Sequence, residues 1–296
     1  METRLLINPA AGRGRGGRLR SRLEKLAREA GVACETSADA RDLVERARRA
    51  VRDGVERLLV AGGDGTWHWA TQALAGGRTA LAPIPLGTGN DLARELGYPL
   101  APEAAFAAAL AGRIERIDLG RLGGEWFCGV AGIGFDAVVA EYARTRVRWL
   151  RGPAVYAWAL VVSLATFRRP RVELVLPDHR FAGEVYLVAF ANTSHYGGGM
   201  RIAPEADPAD GLLDVVILHR TSKWRLLGIF PRVYRGRHLG HPAVEIRRVP
   251  WAEVRCDPPQ AINVDGEGGG STGSGVLRVE LVPRALGVVR AGGHKG

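Results

Sequence analysis

The first part of the chain alternates short apolar runs with longer segments in which apolar residues recur every three or four positions. The runs "RLLIN", "VACET", "ERLLVAGG" and "TALAPIPL" have the length of buried strands, and segments such as "ARDLVERARRAVRDG" have the period of amphipathic helices. Strands that are each followed by a helix form a parallel sheet covered on both faces. The pattern therefore predicts an α/β domain over residues 1–118.

The pattern changes to short β-rich segments in the rest of the chain. Segments such as "RVELVLP", "GEVYLVAFAN" and "GVLRVELV" are separated by Gly, Pro and Asp turns, which is typical of an antiparallel sheet or sandwich. We predict a β-sandwich domain over residues 119–296, with a last strand that is able to return to the first domain. The glycine-rich run "GEGGGSTGSG" is predicted to be a flexible surface loop.

The charge balance favours phosphate-rich partners. The chain has 41 basic and 31 acidic residues, a formal net charge of +10, which suits nucleic acid, an anionic lipid surface or a nucleotide. Charge alone does not choose among them. Cys34, Cys128 and Cys256 show no disulfide or zinc-site spacing, and "METRLLINPA" does not resemble a secretory signal. These features predict a cytoplasmic protein.

The longest apolar stretch, "PAVYAWALVVSLATF" at 153–167, is shorter than the roughly 20 residues that span a bilayer. Its length predicts a buried helix. A second interpretation is peripheral contact with anionic lipid, because basic and aromatic residues flank the apolar stretch. These flanking residues are Arg144, Arg146, Arg148, Trp149, Arg151, Arg168, Arg169 and Arg171. A solvated face explains the arginines equally well.

Three glycine-rich loops follow predicted strands, at the edge where open parallel sheets bind their ligands. The first, "NPAAGRGRGG", satisfies GxGxxG with Gly12, Gly14 and Gly17, and Glu35 lies near the end of the next strand. Alone, this loop indicates a dinucleotide-dependent oxidoreductase. A flexible anion-binding loop is the alternative interpretation.

The second loop places a single carboxylate among three glycines. It consists of Gly62, Gly63, Asp64, Gly65 and Thr66. Residues without a β-carbon let a phosphate chain approach the backbone, and the next helix N-terminus favours an anion. Asp64 would repel that phosphate unless a cation lay between them, which indicates Mg²⁺. The alternative is a turn in which Asp64 caps a helix beginning near Trp67, and Thr66 either adds a hydroxyl or caps that helix.

The third loop lies in "PIPLGTGNDLARELG". Gly87 and Gly89 predict a tight turn after the fourth strand, and Asn90 or Asp91 is suited to cap the following helix. A capped turn without a ligand is the simpler interpretation of this loop alone. Two such loops at one sheet edge, however, predict two walls of a phosphate-sized cleft.

These motifs together resemble the diacylglycerol kinase catalytic family, which includes bacterial lipid kinases and sphingosine kinases. The resemblance rests on "GGDGT" at 62–66, "PLGTGNDLAR" at 85–94, the "NP" that ends the first strand, and "DGE" at 265–267. It implies an α/β domain like that of NAD kinase and phosphofructokinase, followed by a β-sandwich, with the active site between the two domains. GGDGT is shared with NAD kinases, whereas its combination with the other motifs is more specific.

The resemblance also implies which residues bind ATP and which perform the chemistry. The implied ATP-binding residues are Asn8, Thr36, Gly62, Gly63, Asp64, Gly65, Thr66, Trp67, His68, Trp69, Gly87, Thr88, Gly89 and Asn90. It points to Glu267 as the acceptor of the hydroxyl proton, with Asp265 and Asp64 organising metal and water. The choice between Asp265 and Glu267 as the base stays open, and an acidic turn without a catalytic role is the simpler interpretation of "DGE".

A second cation site is implied in "MRIAPEADPADGLLDVVIL". Similar proteins hold a structural Mg²⁺ there, with ligands at the positions of Asp207, Asp210 and the carbonyl of Leu212. Oxygen ligands around a turn suit a hard divalent ion. A solvated acidic turn is the alternative.

The sequence therefore predicts an ATP- and Mg²⁺-dependent lipid kinase that converts diacylglycerol to phosphatidic acid. Its basic surface would hold it at the anionic inner leaflet of the membrane. The alternatives are an NAD kinase, the oxidoreductase above, and a non-catalytic module that binds membrane or nucleic acid. Nucleic acid is disfavoured as a partner because the basic helices lack interleaved aromatic residues. The lipid stays open, and edge pairing of a sheet leaves a homodimer open.

Overall fold

A computed structural model describes residues 2–147 and 153–292. The chain divides into two compact units. Unit 1 contains the chain up to Leu119 and resumes at Pro283, whereas unit 2 is Gly120–Val282.

Unit 1 contains the predicted alternation of strands and helices. Its elements are β1 (Thr3–Ile7), α1 (Ala11–Glu29), β2 (Ala33–Thr36), α2 (Ala40–Arg52), β3 (Arg57–Gly62), α3 (Asp64–Leu74), β4 (Ala80–Pro85), α4 (Asp91–Glu95) and α5 (Pro102–Ala111). The four strands lie in the order β2-β1-β3-β4 and are all parallel. In α2, Leu43, Ala47 and Ala50 are buried on one face, as the apolar period predicts. The predicted parallel α/β fold is confirmed.

The first glycine loop differs from a plain helix start. Gly12, Arg13 and Gly14 have φ values of 60°, 58° and 84°, so three successive residues are left-handed before α1 continues as a regular helix. Left-handed backbone costs a non-glycine residue such as Arg13 of order 1–3 kcal/mol. A β-carbon at Gly12 would enter the carbonyl oxygen of Leu86, so the first loop contacts the segment after β4.

Unit 2 is built of antiparallel strands. The chain enters it within β5 (Arg113–Leu122) and continues through β6 (Glu125–Phe127), β7 (Val130–Gly134), α6 (Phe135–Arg146), α7 (Pro153–Thr166), β8 (Arg171–Val175), β9 (Arg180–Ala191), β10 (Leu213–His219), α8 (Lys223–Val233), β11 (Val244–Val249), β12 (Trp251–Asp257), β13 (Ala261–Val264), β14 (Glu267–Ser271) and β15 (Leu277–Arg290).

The strands of unit 2 form two layers. One layer has the order β14-β13-β7-β9-β10-β11, and the other contains β8 between β9 and β12, with β15 beyond β12. Apolar side chains from both layers form one buried core that includes Phe127, Phe190 and Val254. The predicted antiparallel sandwich is confirmed. After Pro283, β15 continues in unit 1 as a parallel neighbour of β4, with Gly287 opposite Ala80.

The prediction of a flexible loop at "GEGGGSTGSG" is wrong for its first half. Residues 267–271 form β14, which pairs with β13 and places Gly268 opposite Asn263. Gly269 is needed in this strand, because a β-carbon there would lie 2.7 Å from Cγ2 of Val264. Backbone hydrogen bonds to a regular partner strand thus order a sequence that has no apolar pattern of its own.

The apolar stretch at 153–167 forms α7, and only one side of this helix is buried. Leu160 and Leu164 are in the core, whereas 44% of Trp158 and 52% of Val161 is exposed. The prediction of a buried helix is therefore only half correct. Of the flanking basic and aromatic residues, Arg148, Trp149 and Arg151 lie outside the described residues. Within the described residues, no helix is long and apolar enough to cross a bilayer.

Candidate active site

The loops that follow β1, β3 and β4 interlock at the carboxyl edge of the unit 1 sheet. Asn8 Nδ2 donates to Thr66 Oγ1 at 3.0 Å, which ties the first loop to the second. Thr66 Oγ1 also accepts the backbone N–H of Gly63 at 3.4 Å, so the threonine caps α3. Of the two roles predicted for the Thr66 hydroxyl, the structure shows the cap.

The glycines of the second and third loops allow the two loops to touch. A β-carbon at Gly63 would lie 2.9 Å from Cα of Gly87, and one at Gly87 would lie 2.8 Å from Cα of Gly63. At Gly62, a β-carbon would enter the side chain of Thr66. Contact between protein segments thus requires glycine at these three positions. The approach of a phosphate, for which the sequence interpretation assigned the glycines of the second loop, stays a prediction.

Gly87→Ala is accordingly expected to push the two loops apart. Overpacking of a close backbone contact costs about 1–3 kcal/mol, so we expect the free energy of unfolding of unit 1 to fall by that amount and ATP binding to weaken. Urea denaturation and equilibrium binding of ATP measure the two effects. Gly17→Ala is the matched control, because its β-carbon would meet only Pro9 O at 3.5 Å. Unchanged stability and ATP affinity in Gly87→Ala would contradict the interlocked geometry.

Asp64 connects the second loop to the helix after the third. Its Oδ2 accepts the N–H of Asn90 at 2.7 Å, and its Oδ1 accepts the N–H groups of Asp91 at 2.7 Å and Leu92 at 3.4 Å. The carboxylate thereby caps α4, and Asn90, at φ 57°, makes no side-chain cap itself. Burial and the nearby Asp91 raise the pKa of Asp64 to about 7, while the three N–H groups oppose this rise.

This arrangement corrects two capping roles expected from the sequence. Asp64 was expected to cap its own helix if it held no metal, and its oxygens accept backbone N–H groups at the start of α4 instead. Asn90 was expected to be suited to cap α4, and its side chain holds the third loop closed instead. Its Oδ1 accepts the N–H of Gly87 at 2.9 Å and its Nδ2 donates to Gly87 O at 3.0 Å. The metal role of Asp64 and the ATP contact of Asn90 stay predictions.

The remaining residues of the implied ATP set differ in how far their side chains are exposed. Trp67 is buried, and its Nε1 donates to Val60 O in β3 at 2.9 Å, so its indole belongs to the core and not to a ligand surface. His68 is also buried, and its place in the implied ATP set stays a prediction. Thr88 is exposed at the tip of the third loop, and 37% of Trp69 is exposed. Gly65 and Gly89 are half-buried in their loops.

The contacts of the side chains at the end of β2 test the oxidoreductase alternative. Glu35 was the candidate for binding a ribose, and its carboxylate instead pairs with Arg46 at 2.6 Å and lies 3.8 Å from Arg4. Thr36 is half-buried at the last position of β2, opposite Ile7 of β1. The first loop therefore lacks the free acidic partner that a dinucleotide fingerprint needs.

In unit 2, the "DGE" motif forms the hairpin between β13 and β14. Asp265 and Gly266 have φ values of 51° and 89°, which is the left-handed pair of a two-residue hairpin turn, and Val264 pairs with Glu267 across it. Asp265 Oδ2 accepts the N–H of Cys128 at 2.9 Å, and its Oδ1 accepts those of residues 129 and 130 at 2.8 and 3.1 Å.

The structure shows an anchoring role for the first acidic residue of the hairpin. Asp265 anchors the segment at the start of β7 in the same way that Asp64 anchors α4. Its predicted role in organising a metal stays a prediction. Glu267 is half-buried at the first position of β14.

The implied cation site at 207–212 contains an ion pair. Asp210 pairs closely with Arg248, and its Oδ1 accepts the N–H of Leu212 at 2.9 Å. Asp207 Oδ1 accepts the N–H of Ala209 at 3.1 Å. The N–H of Leu212 is thus occupied within the turn. The residues do not fit the predicted ion, because a guanidinium already balances the charge of Asp210.

A magnesium cage made only of protein side chains is also not found. Among the described residues, no group of three or more His, Cys, Asp or Glu side chains is arranged to hold a metal ion. Mg²⁺ commonly binds through one or two carboxylates together with substrate phosphates and water.

Comparison with known proteins decides the family. The diacylglycerol kinase catalytic domain matches residues 2–122, and the YegS C-terminal NAD kinase beta sandwich-like domain matches residues 129–290. The chain belongs to the diacylglycerol kinase family. It is a lipid kinase of the diacylglycerol kinase type, and the resemblance seen in the sequence is confirmed.

Relatives of this lipid kinase match along most of its length. A diacylglycerol kinase of Mycobacterium tuberculosis (strain H37Rv) is 38% identical over 259 residues, which is 85% of this chain and 82% of the relative. A probable lipid kinase YegS-like of Pseudomonas aeruginosa (strain PAO1) is 35% identical over 232 residues, 77% of this chain and 74% of the relative. The crystal structure of a putative diacylglycerol kinase from Bacillus anthracis has a TM-score of 0.81 at 21% identity, covering 98% of this chain and 97% of its own. That structure shows the same fold.

Sequence reasoning missed the residues that complete the anchors of this lipid kinase. The partners of Asp64 and Asp265 are backbone N–H groups, which have no signature in the sequence. Arg248 was also missed, although it lies in β11 directly opposite Asp214 of β10. Alternation in "AVEIRRV" could have suggested that an arginine there faces the acidic turn.

Proposed function

We propose that the chain is an ATP- and Mg²⁺-dependent kinase that transfers the γ-phosphoryl group of ATP to diacylglycerol, giving phosphatidic acid. The observation that carries this proposal is the 38% identity to a diacylglycerol kinase over 85% of the chain. The geometry of unit 1 supports the nucleotide part, and the hairpin of unit 2 supports the proton transfer.

The phosphates of ATP are assigned to the N-terminus of α3. This helix has 11 residues and begins directly after β3, with Gly63 as its N-cap. Its first backbone N–H groups and its dipole favour an anion. Gly65 is placed in the first turn and Thr88 at the exposed tip of the neighbouring loop, so both are assigned to the nucleotide. Asn8 follows β1 and Thr36 ends the neighbouring strand β2 at the same edge.

Glu267 is assigned as the acceptor of the proton from the lipid hydroxyl. Phosphoryl transfer needs a positioned base for that proton. Such a base typically raises the reaction rate by about 10²–10⁴-fold. When bound with ATP, Mg²⁺ neutralises charge on the transferred phosphoryl group. Asp64 and Asp265 are assigned as positioning residues, because each fixes the backbone of a loop through three N–H groups.

An assay with two acceptors tests this proposal against its nearest alternative. The chain is incubated with γ-labelled ATP and Mg²⁺, with diacylglycerol in micelles in one tube and NAD in the other. We expect label in phosphatidic acid and none in NADP. Label in NADP would identify an NAD kinase activity, which is plausible because NAD kinases share the GGDGT motif. That result would overturn the assignment of diacylglycerol as the acceptor.

The site of action also belongs to the proposal. A diacylglycerol substrate lies in a bilayer, so we place the kinase at the inner leaflet as a peripheral protein, held by its net charge of +10. Such binding weakens as salt rises. A homodimer formed through an exposed sheet edge stays a prediction, and nucleic acid is not assigned as a partner.

A further inference from the structure

The exposed side of α7 carries an apolar stripe. The helix contains no charged residue, and Ala154, Trp158, Val161 and Ala165, spaced three or four apart, are all exposed. Its other side packs into a buried cluster of unit 2 with residues of α6 and α8. An exposed apolar stripe of this kind is unfavourable in water and marks an interaction surface.

The start of α8 extends this apolar stripe. Lys223 Nζ donates to Ala165 O at 2.9 Å, which joins the first turn of α8 to the last turn of α7. The next residue, Trp224, is 83% exposed, the most of any large hydrophobic side chain that the structure describes. Tryptophan combines a large apolar ring with an N–H donor and is enriched where one end is apolar and the other wet.

The other end of α8 carries a basic pocket. Arg232, Arg235 and Arg237, together with Pro231, line a pocket of about 420 Å³. All three arginines are exposed, and none of them forms an ion pair with a carboxylate in the described part of the chain. Guanidinium groups bind phosphate oxygens in a bidentate manner, so three of them around one pocket suit a phosphate group.

The tryptophan and the arginine pocket lie on one side of α8. Trp224 and Pro231 are seven residues apart in α8 and therefore share a helix face, whereas Leu226 and Ile229 are buried on the opposite face. Arg235 follows in the turn after α8. We refer to the exposed side of α7, Trp224 and the arginine pocket as the α7–α8 surface. It combines exposed apolar groups with unpaired positive charge.

We propose that the α7–α8 surface docks on an anionic phospholipid bilayer. The arginine pocket takes the phosphate of a lipid headgroup, while Trp224 and the stripe of α7 enter the boundary between headgroups and acyl chains. Apolar groups beside basic residues are the combination that binds anionic membranes. The choice of a bilayer over free phosphate rests on the proposed function, because a lipid kinase must meet its substrate in a membrane.

Co-sedimentation of the whole chain with vesicles, without ATP or Mg²⁺, tests this proposal. The vesicles contain phosphatidylcholine alone or with phosphatidylglycerol. One variant is Trp224→Ser, with Val276→Ser as control, because Val276 is also exposed in unit 2 but lies in a loop. The other is the triple change Arg232→Gln, Arg235→Gln and Arg237→Gln. Its control removes equal charge from exposed positions of unit 1 through Arg28→Gln, Arg41→Gln and Arg48→Gln.

The wild-type chain is expected to sediment with the phosphatidylglycerol vesicles and not with phosphatidylcholine alone. Each basic residue near an anionic surface contributes about fivefold to partitioning, so we expect the triple variant to bind about 100-fold more weakly and its control at most a few-fold. Trp224→Ser is expected to lose about tenfold and Val276→Ser nothing measurable. Far-UV circular dichroism checks that each variant is folded.

Three results would overturn the proposal. The first is equal loss of vesicle binding in the triple variant and in its control, which would show that net charge alone drives the binding. The second is a triple variant that loses binding of inorganic phosphate but keeps vesicle binding, which would make the pocket a site for a soluble phosphate. The third is sedimentation without vesicles that depends on Trp224, which would make the surface an interface between copies. Inactivity towards every lipid acceptor, together with vesicle binding that depends on Trp224, would contradict the proposed function and leave the docking surface supported.

Discussion

Glu267→Gln is expected to lower kcat for lipid phosphorylation by about 10²–10⁴-fold while the unfolding midpoint stays unchanged. Glutamine has the size of glutamate but does not accept the proton of the lipid hydroxyl. The backbone of residue 267 is held by its pairing with Val264 in the hairpin, so the substitution does not disturb the strand. Initial rates at saturating ATP and micellar diacylglycerol measure the effect, and KM for ATP is expected to change little.

Two further variants make this expectation specific. Glu173→Gln changes an exposed glutamate of β8 in the same unit and is expected to keep the wild-type rate. Asp265→Asn places an amide donor against three backbone N–H groups, so we expect the free energy of unfolding to fall by about 2 kcal/mol. A Glu267→Gln enzyme with wild-type kcat, beside a stable but inactive Asp265→Asn enzyme, would make Asp265 the proton acceptor.

Asp136→Asn is expected to stabilise the chain at pH 8 by up to about 4 kcal/mol. Asp136 is buried at the start of α6, and a β-carbon on Gly132 would enter its carboxylate. Burial raises the pKa of Asp136 to about 7, against the opposing effect of the N–H groups of Ala137 and of Asp136 itself. In the unfolded chain the pKa returns to about 3.9, so a difference of about 3 corresponds to about 4 kcal/mol.

The sign of the pH dependence follows from this raised pKa. Between about pH 4 and 7 the folded chain holds a proton at Asp136 that the unfolded chain has released, so the free energy of unfolding falls as the pH rises through this window. Above pH 7 the loss is complete. Burial likewise raises the pKa of Asp64 to about 7 and that of Asp214 to about 6. The free energy of unfolding of the Asp136→Asn variant therefore still falls with rising pH, but less steeply than that of the wild type.

Urea denaturation at about pH 3.5 and about pH 8, which lie on either side of the window from about pH 4 to 7, measures this effect. Asp136→Asn should equal the wild type near the lower pH and exceed it at the higher one. Asp178→Asn, an exposed aspartate in the turn after β8, is the matched control and should follow the wild type throughout. An Asp136→Asn variant that is less stable than the wild type at pH 8 would show that the carboxylate is charged and stabilising in the folded chain.

Local periodicity was sufficient for most of the architecture. The 3.6-residue pattern of "ARDLVERARRAVRDG" and the short apolar runs predicted α2 and the parallel strands, because side chains in these elements meet the core at intervals that the sequence displays. The pattern was insufficient for β14. Its residues "EGGGS" carry no apolar alternation, and the strand exists through its pairing with β13.

The candidate site was predictable in its composition but not in its contacts. The motifs located the loops correctly, yet Asp64 binds N–H groups 26 to 28 positions away and Gly63 packs on Gly87. Such pairings depend on how neighbouring strands align, and residue types do not reveal backbone donors. The exposure of Trp224 was hidden for the same reason, because an isolated tryptophan in an apolar segment is equally typical of a core.

The most direct test of the central claim is transfer of label from γ-labelled ATP to a panel of micellar lipids comprising diacylglycerol, a sphingoid base and phosphatidylglycerol. We expect labelled phosphatidic acid as the main product, its formation to stop when Mg²⁺ is chelated, and the Glu267→Gln variant to form it at a rate about 10²–10⁴-fold lower. Label in another lipid would correct the substrate. Absence of label from every lipid, in a chain that is folded and binds ATP, would contradict the assignment of a lipid kinase activity to this site.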